Sequence, residues 1–192
     1  APYYLMVASA GNSGADSYTG GLAAGYDKLT QEKNAKNNLV VANANPFVLP
    51  NGTVALFPIN SSSSQGPSDD GRIKPDLVAK GVSVLSPTAV STTSRATYDG
   101  TSMAAPGVTG GILLVQQHYH NVFGKYMLAS TVKGLALHTC DEAGGTPGPD
   151  YQYGWGLMNT EAAAQAISNN GLTSIVRELT LNPGQTVTVN VK

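Results

Sequence analysis

Cysteine is almost missing from this sequence, and the lone Cys140 excludes an internal disulfide while leaving the redox compartment open. Charge is scarce too, at 12% of residues against about 25% in ordinary soluble domains, and the net charge is −1. With neither a basic patch nor a basic tail, nucleic acid and anionic membrane surfaces are excluded as partners. No apolar run approaches the roughly 18 residues that span a bilayer, so no membrane insertion is expected. The opening Ala1-Pro2-Tyr3-Tyr4 carries no charged leader and runs straight into an apolar segment, as the middle of a domain would. No repeat recurs at a fixed period. What is plentiful is apolar content, at 41%, with 22 Gly and 11 Pro, enough for a real core joined by many tight turns. Disorder is excluded, because disordered chains are charge-rich and poor in apolar residues.

Residues 4–10 are a short continuous apolar run closed by Gly11-Asn12, which suits a strand buried on both faces of a parallel sheet. Residues 39–44, 54–58 and 82–85 are further strand candidates, with Asn51-Gly52 as a turn, and the Lys/Asn-rich stretch 26–38 reads as a helical surface connection. The Ser-rich stretch 61–68 has a linker's composition. It runs at once into Ile73-Lys74-Pro75-Asp76-Leu77-Val78, however, and so reads as a packed loop. From Met103 to about Tyr119, apolar residues cover most of a helix circumference, which predicts a central, buried helix. Its Gly107, Gly110 and Gly111 each cost up to about 1 kcal/mol of propensity and imply neighbours pressed close. Shorter helices are expected at 129–138 and 160–167, the latter capped by Asn159 or Thr160 with Glu161 in its first turn. Beyond residue 171 the character changes: 175–181 and 186–191 alternate with period 2 around Asn182-Pro183-Gly184-Gln185 and read as a hairpin.

The chemistry is concentrated in Gly100-Thr101-Ser102-Met103-Ala104-Ala105-Pro106. A serine at a helix N-terminus sits where free N–H groups and the helix dipole favour developing negative charge. Gly100 permits a tight entry, and Pro106 is read as lying in the first turn, where its missing N–H has no partner. These residues, with Gly107, resemble the nucleophile signature of the subtilases, the subtilisin-like serine proteases. Three further stretches resemble that family in its order: 8–14 (Ala-Ser-Ala-Gly-Asn-Ser-Gly), 64–79, and Tyr153-Gly154-Trp155-Gly156-Leu157-Met158-Asn159. Together they cover about residues 4–168, and four motifs in register are hard to obtain by chance.

The resemblance implies Ser102 as nucleophile and Asn12, with the Ser102 N–H, as oxyanion donor. It implies that Thr101 adds a weaker hydroxyl contribution and that Ser9, Ala10 and Gly11 wall the pocket before the scissile bond. Family order is Asp, His, Ser, with the oxyanion Asn between the last two, so the triad's acid and base are expected before Ala1. No cofactor is implied for the chemistry. Structural calcium is common in the family, but no motif here places one, and no His/Cys/carboxylate cluster has metal spacing. Lys80-Gly81 replaces the usual Pro-Gly, and Gly107 a larger residue; neither touches the proposed chemistry.

Internal substitutes for the base fail. His118 and His120 lie 16 and 18 residues after Ser102 on one expected helix. At 1.5 Å per residue that is about 24–27 Å away. His138 reads as a packed or surface histidine, and Asp16, Asp69, Asp70, Asp76 and Asp99 as turn or capping carboxylates. Ala104 breaks the Gly-x-Ser-x-Gly elbow of α/β-hydrolases. Ser130-Thr131-Val132-Lys133 matches Ser-x-x-Lys without the companion motifs, and Cys140 reads as a buried small residue.

The expected fold is α/β, in two parts. Residues 1–171 are the latter part of a doubly wound parallel sheet with a buried central helix, and 172–192 the start of a β-sandwich-like module. The expected function is peptide-bond hydrolysis through an acyl-enzyme, with a polypeptide substrate and a bacterial, secreted or cell-surface setting. This chain alone is expected to be inactive, and to pair with the N-terminal half of its domain or self-associate. The alternatives are a non-catalytic binding or structural relative, and an enzyme of ester hydrolysis or acyl transfer.

Overall fold

Strand β2 (Asn38–Ala44) is buried at every one of its seven positions, which a strand achieves only at the centre of a covered sheet. The structure, a computed structural model, describes residues 2–17 and 23–190. In it β2 pairs in parallel with β1 (Met6–Ser9) on one side, Val7 opposite Leu39. Two further strands, β3 (Phe47–Val48) and β4 (Val54–Leu56), form a small antiparallel ribbon. On the other side of β2 lies β5 (Leu77–Lys80), with Val41 opposite Leu77 and Asn43 opposite Ala79. After it, β6 (Val84–Pro87) and β7 (Arg95–Tyr98) make a hairpin that leads to helix α1 (Thr101–Phe123). Helices α2 (Ala129–His138) and α3 (Thr160–Ser168) complete the fold.

The period of two along β2 sorts its side chains between two cores. Leu39 and Val41 join Leu77, Val108, Ile112 and Ile167 on the α1 side, while Val40, Ala42 and Ala44 join Leu29, Val78 and Leu157 on the other. Each fully buried Val or Leu there contributes about 1.5–3 kcal/mol of transfer free energy. Asn159 caps α3, its Oδ1 accepting the Ala162 N–H at 2.8 Å.

Several expectations need correction. Helix α1 buries one face, through Ala104, Val108, Ile112, Val115 and Tyr119, whereas Leu113 and Leu114 are 65% and 63% exposed. Among the described residues nothing covers that side. Of the three helical glycines only Gly111 meets a close neighbour: a Cβ there would lie 2.9 Å from Thr160 Oγ1 and 3.0 Å from Met158 Cε. Gly107 and Gly110 have nothing within 4 Å. Pro106 is the sixth residue of the helix, so it stands in the second turn and removes the bond that would reach the Ser102 carbonyl. The expected helix at 26–38 is only a 3₁₀ turn, Gln31–Asn34, because the stretch offers Leu29 and little else to bury.

The two strands expected at 175–181 and 186–191 are not paired as strands among the described residues, and 191 lies outside them. Leu172, Leu179, Leu181, Val187 and Val189 stay exposed. A lone hairpin without a second layer over its apolar face is marginal at best.

A buried ionic cluster ties the sheet to α2. Lys74, 1% exposed, donates to Asn38 Oδ1 at 2.9 Å and to Asp76 Oδ2. Asp76 Oδ2 also accepts the Val40 N–H at 2.7 Å, and Asp76 Oδ1 lies 2.9 Å from Lys133 Nζ. Desolvation holds the Lys74 pKa below the ordinary lysine value, and the Asp76 carboxylate opposes that shift.

Candidate active site

Ser102 is the second residue of α1 and exposed, so its N–H is one of the first-turn donors without an intrahelical acceptor. The turn before it rests on Gly100, whose φ of 142° is open to glycine and strained for other residues. Gly100 is anchored from below, its N–H donating to the Gly81 carbonyl at 2.8 Å. At the end of β1 the chain turns through Gly11, with φ of 106°, and delivers Asn12 beside this helix start.

The two segments interlock through Thr101, which is wholly buried. Asn12 Oδ1 accepts from the Thr101 N–H and from Thr101 Oγ1, both at 3.0 Å, and Thr101 Oγ1 accepts the Gly11 N–H at 3.1 Å. With Oδ1 doubly engaged, the Asn12 amide is fixed and its Nδ2 is left without a partner among the described residues. Thr101 thus spends its hydroxyl on orienting Asn12. The structure therefore brings Gly11, Asn12, Thr101 and Ser102 together at one point.

Ser9 and Ser102 line one shallow trough of about 420 Å³, together with Val7, Ala105, Pro106 and Thr109. Ala10 is fully buried and donates its N–H to the Val41 carbonyl at 2.9 Å, and of the expected wall residues 9–11 only Ser9 lines this trough.

The Ser-rich loop is a packed buttress. Ser63 and Ser64 are buried; Ser64 Oγ accepts the Ser13 N–H at 3.0 Å, and the Ser64 N–H donates to the Gly11 carbonyl at 2.9 Å. A Cβ on Gly11 would stand 2.8 Å from Ser64 Oγ. Sequence reasoning placed Ser64 in a motif but missed this support. The ordered-looking Ile73-Lys74-Pro75-Asp76-Leu77-Val78 soon after it was the available signal.

None of the three histidines is engaged with Ser102. His118 Nε2 bonds Ser168 Oγ at 2.8 Å, His120 stacks on Tyr126 at 4.6 Å, and His138 lines a separate groove with Leu172 and Arg177. Burial pushes the Cys140 thiol up to about 12, with Asp141 and Glu142 adding to the shift, so Cys140 is no thiolate at neutral pH. Among the described residues no group of three or more His, Cys, Asp or Glu is placed to hold a metal ion, and no helix is long and apolar enough to cross a membrane.

Comparison with known proteins points the same way. The profile of the Subtilase family matches residues 3–156. The C5a peptidase of Streptococcus pyogenes serotype M3 is 38% identical over 97 residues, covering 50% of this chain and 8% of that protein. Subtilisin amylosacchariticus from Bacillus subtilis subsp. amylosacchariticus is 30% identical over 113 residues, covering 59% of this chain and 27% of that protein. The Clostridium perfringens CspB protease has the same fold over 76% of this chain and 30% of its own, with a TM-score of 0.61 at 22% identity. The chain spans less than a third of each of these relatives.

Proposed function

Since this chain belongs to the subtilase family, we propose that it carries the nucleophile and oxyanion half of a serine endopeptidase site. The observation that carries this reading is the Thr101–Asn12 lock beside an exposed helix-N-terminal serine. Ser102 Oγ attacks the peptide carbonyl carbon as a histidine base takes its proton. The carbonyl oxygen becomes an oxyanion, received by the Ser102 N–H and Asn12 Nδ2. Collapse expels the amine, which takes the proton from the histidine, and leaves an acyl group on Oγ that water removes by the same route. Protein groups alone supply this chemistry; no metal or cofactor takes part.

The base and its carboxylate partner belong to another segment of the same domain, because this chain's histidines are committed elsewhere. Alone, the chain is therefore inert. Its setting is secreted or cell-surface and bacterial, its substrate a polypeptide, and residues 172–192 begin a further β module. Covalent labelling by a fluorophosphonate, run on the longest gene product containing this chain and on this chain alone, tests the reading. Labelling of the longer protein alone supports it; labelling of neither favours a non-catalytic relative.

Asn12→Ala in the longer protein is expected to lower kcat about 10²–10³-fold with little change in KM, because the donor acts on charge present only in the transition state. That magnitude is subtilisin's own. An unchanged kcat would remove Asn12 from the site.

The β1 edge is unpaired on one side among the described residues, and Tyr4, Met6, Leu113 and Leu114 are exposed near it or on α1. Such a surface is expected to be covered by the other half of the domain and, without it, to self-associate. Sedimentation of the isolated chain should show concentration-dependent oligomers, and a monomer at all concentrations would contradict this.

A further inference from the structure

Asn43 is an unusual residue to find in the most buried strand of the fold. It is 0% exposed, and neither Oδ1 nor Nδ2 has a hydrogen-bond partner among the described residues. Its backbone is fully engaged: its N–H donates to Ser63 Oγ at 3.0 Å and its carbonyl accepts the Asn60 N–H at 2.8 Å. Only the amide is left over. A buried amide without partners has lost its water and gained nothing in exchange, so it calls for a specific use.

Its position supplies one. The alternation along β2 puts Asn43 in the row of Leu39 and Val41, on the side of the sheet that α1 covers. Asn43 is the last of that row, at the end of the sheet where α1 begins. There Gly81 takes the place of a side chain: a Cβ on it would lie 2.5 Å from Asn43 Oδ1 and 2.5 Å from the Gly100 carbonyl oxygen. The Asn43 amide and the Gly100 carbonyl thus converge on one enclosed point, two residues before the nucleophile. Gly81 lies between the two segments, its N–H donating to the Ala44 carbonyl at 3.1 Å and its carbonyl accepting the Gly100 N–H at 2.8 Å. The Gly100 carbonyl also receives the Met103 N–H at 3.0 Å and, at 3.4 Å, the Ala104 N–H, so its orientation sets the first turn of α1.

We propose that Asn43 is a positioning residue for Ser102: its amide donates, directly or through one internal water, to the Gly100 carbonyl and holds the turn from which Ser102 attacks. The amide's two faces allow Nδ2 to take this side, since oxygen and nitrogen exchange by a half-turn of χ2. A serine at this position, short but still a donor, keeps the contact through water, whereas alanine or leucine loses it. The role in attack rests on the peptidase reading above; the bracing of the turn does not.

The test uses the longest gene product containing this chain, with Asn43→Ala, Asn43→Ser and Asn43→Leu, and three readouts. These are the second-order rate of fluorophosphonate labelling at Ser102, amide hydrogen exchange across residues 100–104, and the melting temperature. Asn43→Ala is expected to slow labelling about tenfold to a hundredfold, the scale of a misplacement near 1 Å, and to speed exchange across the turn. Asn43→Ser should recover much of both, whatever the melting temperatures do. Labelling and exchange unchanged in Asn43→Ala would overturn the proposal. So would an Asn43→Leu protein that melts higher and labels at the wild-type rate, since the amide would then be only a penalty in the core. A variant that fails to fold leaves the serine substitution to decide by the same readouts. If the wild-type protein itself does not label, the peptidase reading falls, and hydrogen exchange alone decides whether Asn43 braces the turn.

Discussion

Ser102→Ala in the longest gene product containing this chain is expected to abolish fluorophosphonate labelling and to lower peptide hydrolysis by up to about a millionfold, the scale of losing the nucleophile in subtilisin. The size follows from what the substitution removes. On the proposed mechanism, without Oγ no acyl-enzyme forms, and the histidine base has no hydroxyl to deprotonate. The proposed donors remain, because Asn12 is held by Thr101 and not by Ser102. A residual rate about 10³–10⁴-fold above water is therefore expected from oxyanion binding and substrate alignment. Substrate KM should change little, as Ser102 contributes one oxygen to a shallow trough that Val7, Ala105 and Pro106 also line. Hydrolysis at the wild-type rate in Ser102→Ala would end the serine-peptidase reading.

The second large effect is on stability. Asp76→Ala is expected to destabilise the fold by about 3–5 kcal/mol, measured by denaturant unfolding. Alanine leaves the Lys74 ammonium in a site where it is 1% exposed, with Asn38 Oδ1 as its remaining partner. It also strands the Val40 N–H at the heart of β2 and releases Lys133 of α2 from its ion pair. Most of the loss is an uncompensated buried charge, not the net worth of the salt bridge. The double variant Lys74→Met, Asp76→Asn should therefore recover a large part of it, since asparagine keeps an acceptor for Val40 while methionine needs no counter-charge. A double variant as unstable as Asp76→Ala would show that packing, not charge, governs this cluster.

How much of this was legible in the sequence varied with the physics behind each element. β2 was visible because a strand buried on both faces reads as an unbroken apolar run, and α3 because Asn159 and Glu161 announce its start; β1 was found by the same pattern, but it is only partly buried, with Met6 exposed. β7 was missed: Arg-Ala-Thr-Tyr is mostly exposed and becomes a strand only through its pairing with β6. The 175–190 segment shows the reverse case, a good strand pattern that has no partner layer among the described residues. At the site, the segments around Asn12, Ser64 and Ser102 were each recognisable by resemblance. The contacts among them were not, because no local pattern says that the Thr101 hydroxyl is spent on Asn12 or that Ser64 supports Gly11. Asn43 was hidden most completely. Inside an apolar run it looked like one tolerated polar residue, and its meaning lies in Gly81 and Gly100, 38 and 57 positions away.

The bonds that orient Asn12 close a loop of 89 residues, and those from Ser64 to Ser13 one of 51. Contacts at such separations form late, after the chain has lost the entropy of closing the loops between them. A growing or partly folded chain can therefore contain Ser102 and Asn12 while the two are still apart. The arrangement is a product of completed topology, which makes it a sensitive reporter of whether folding has finished.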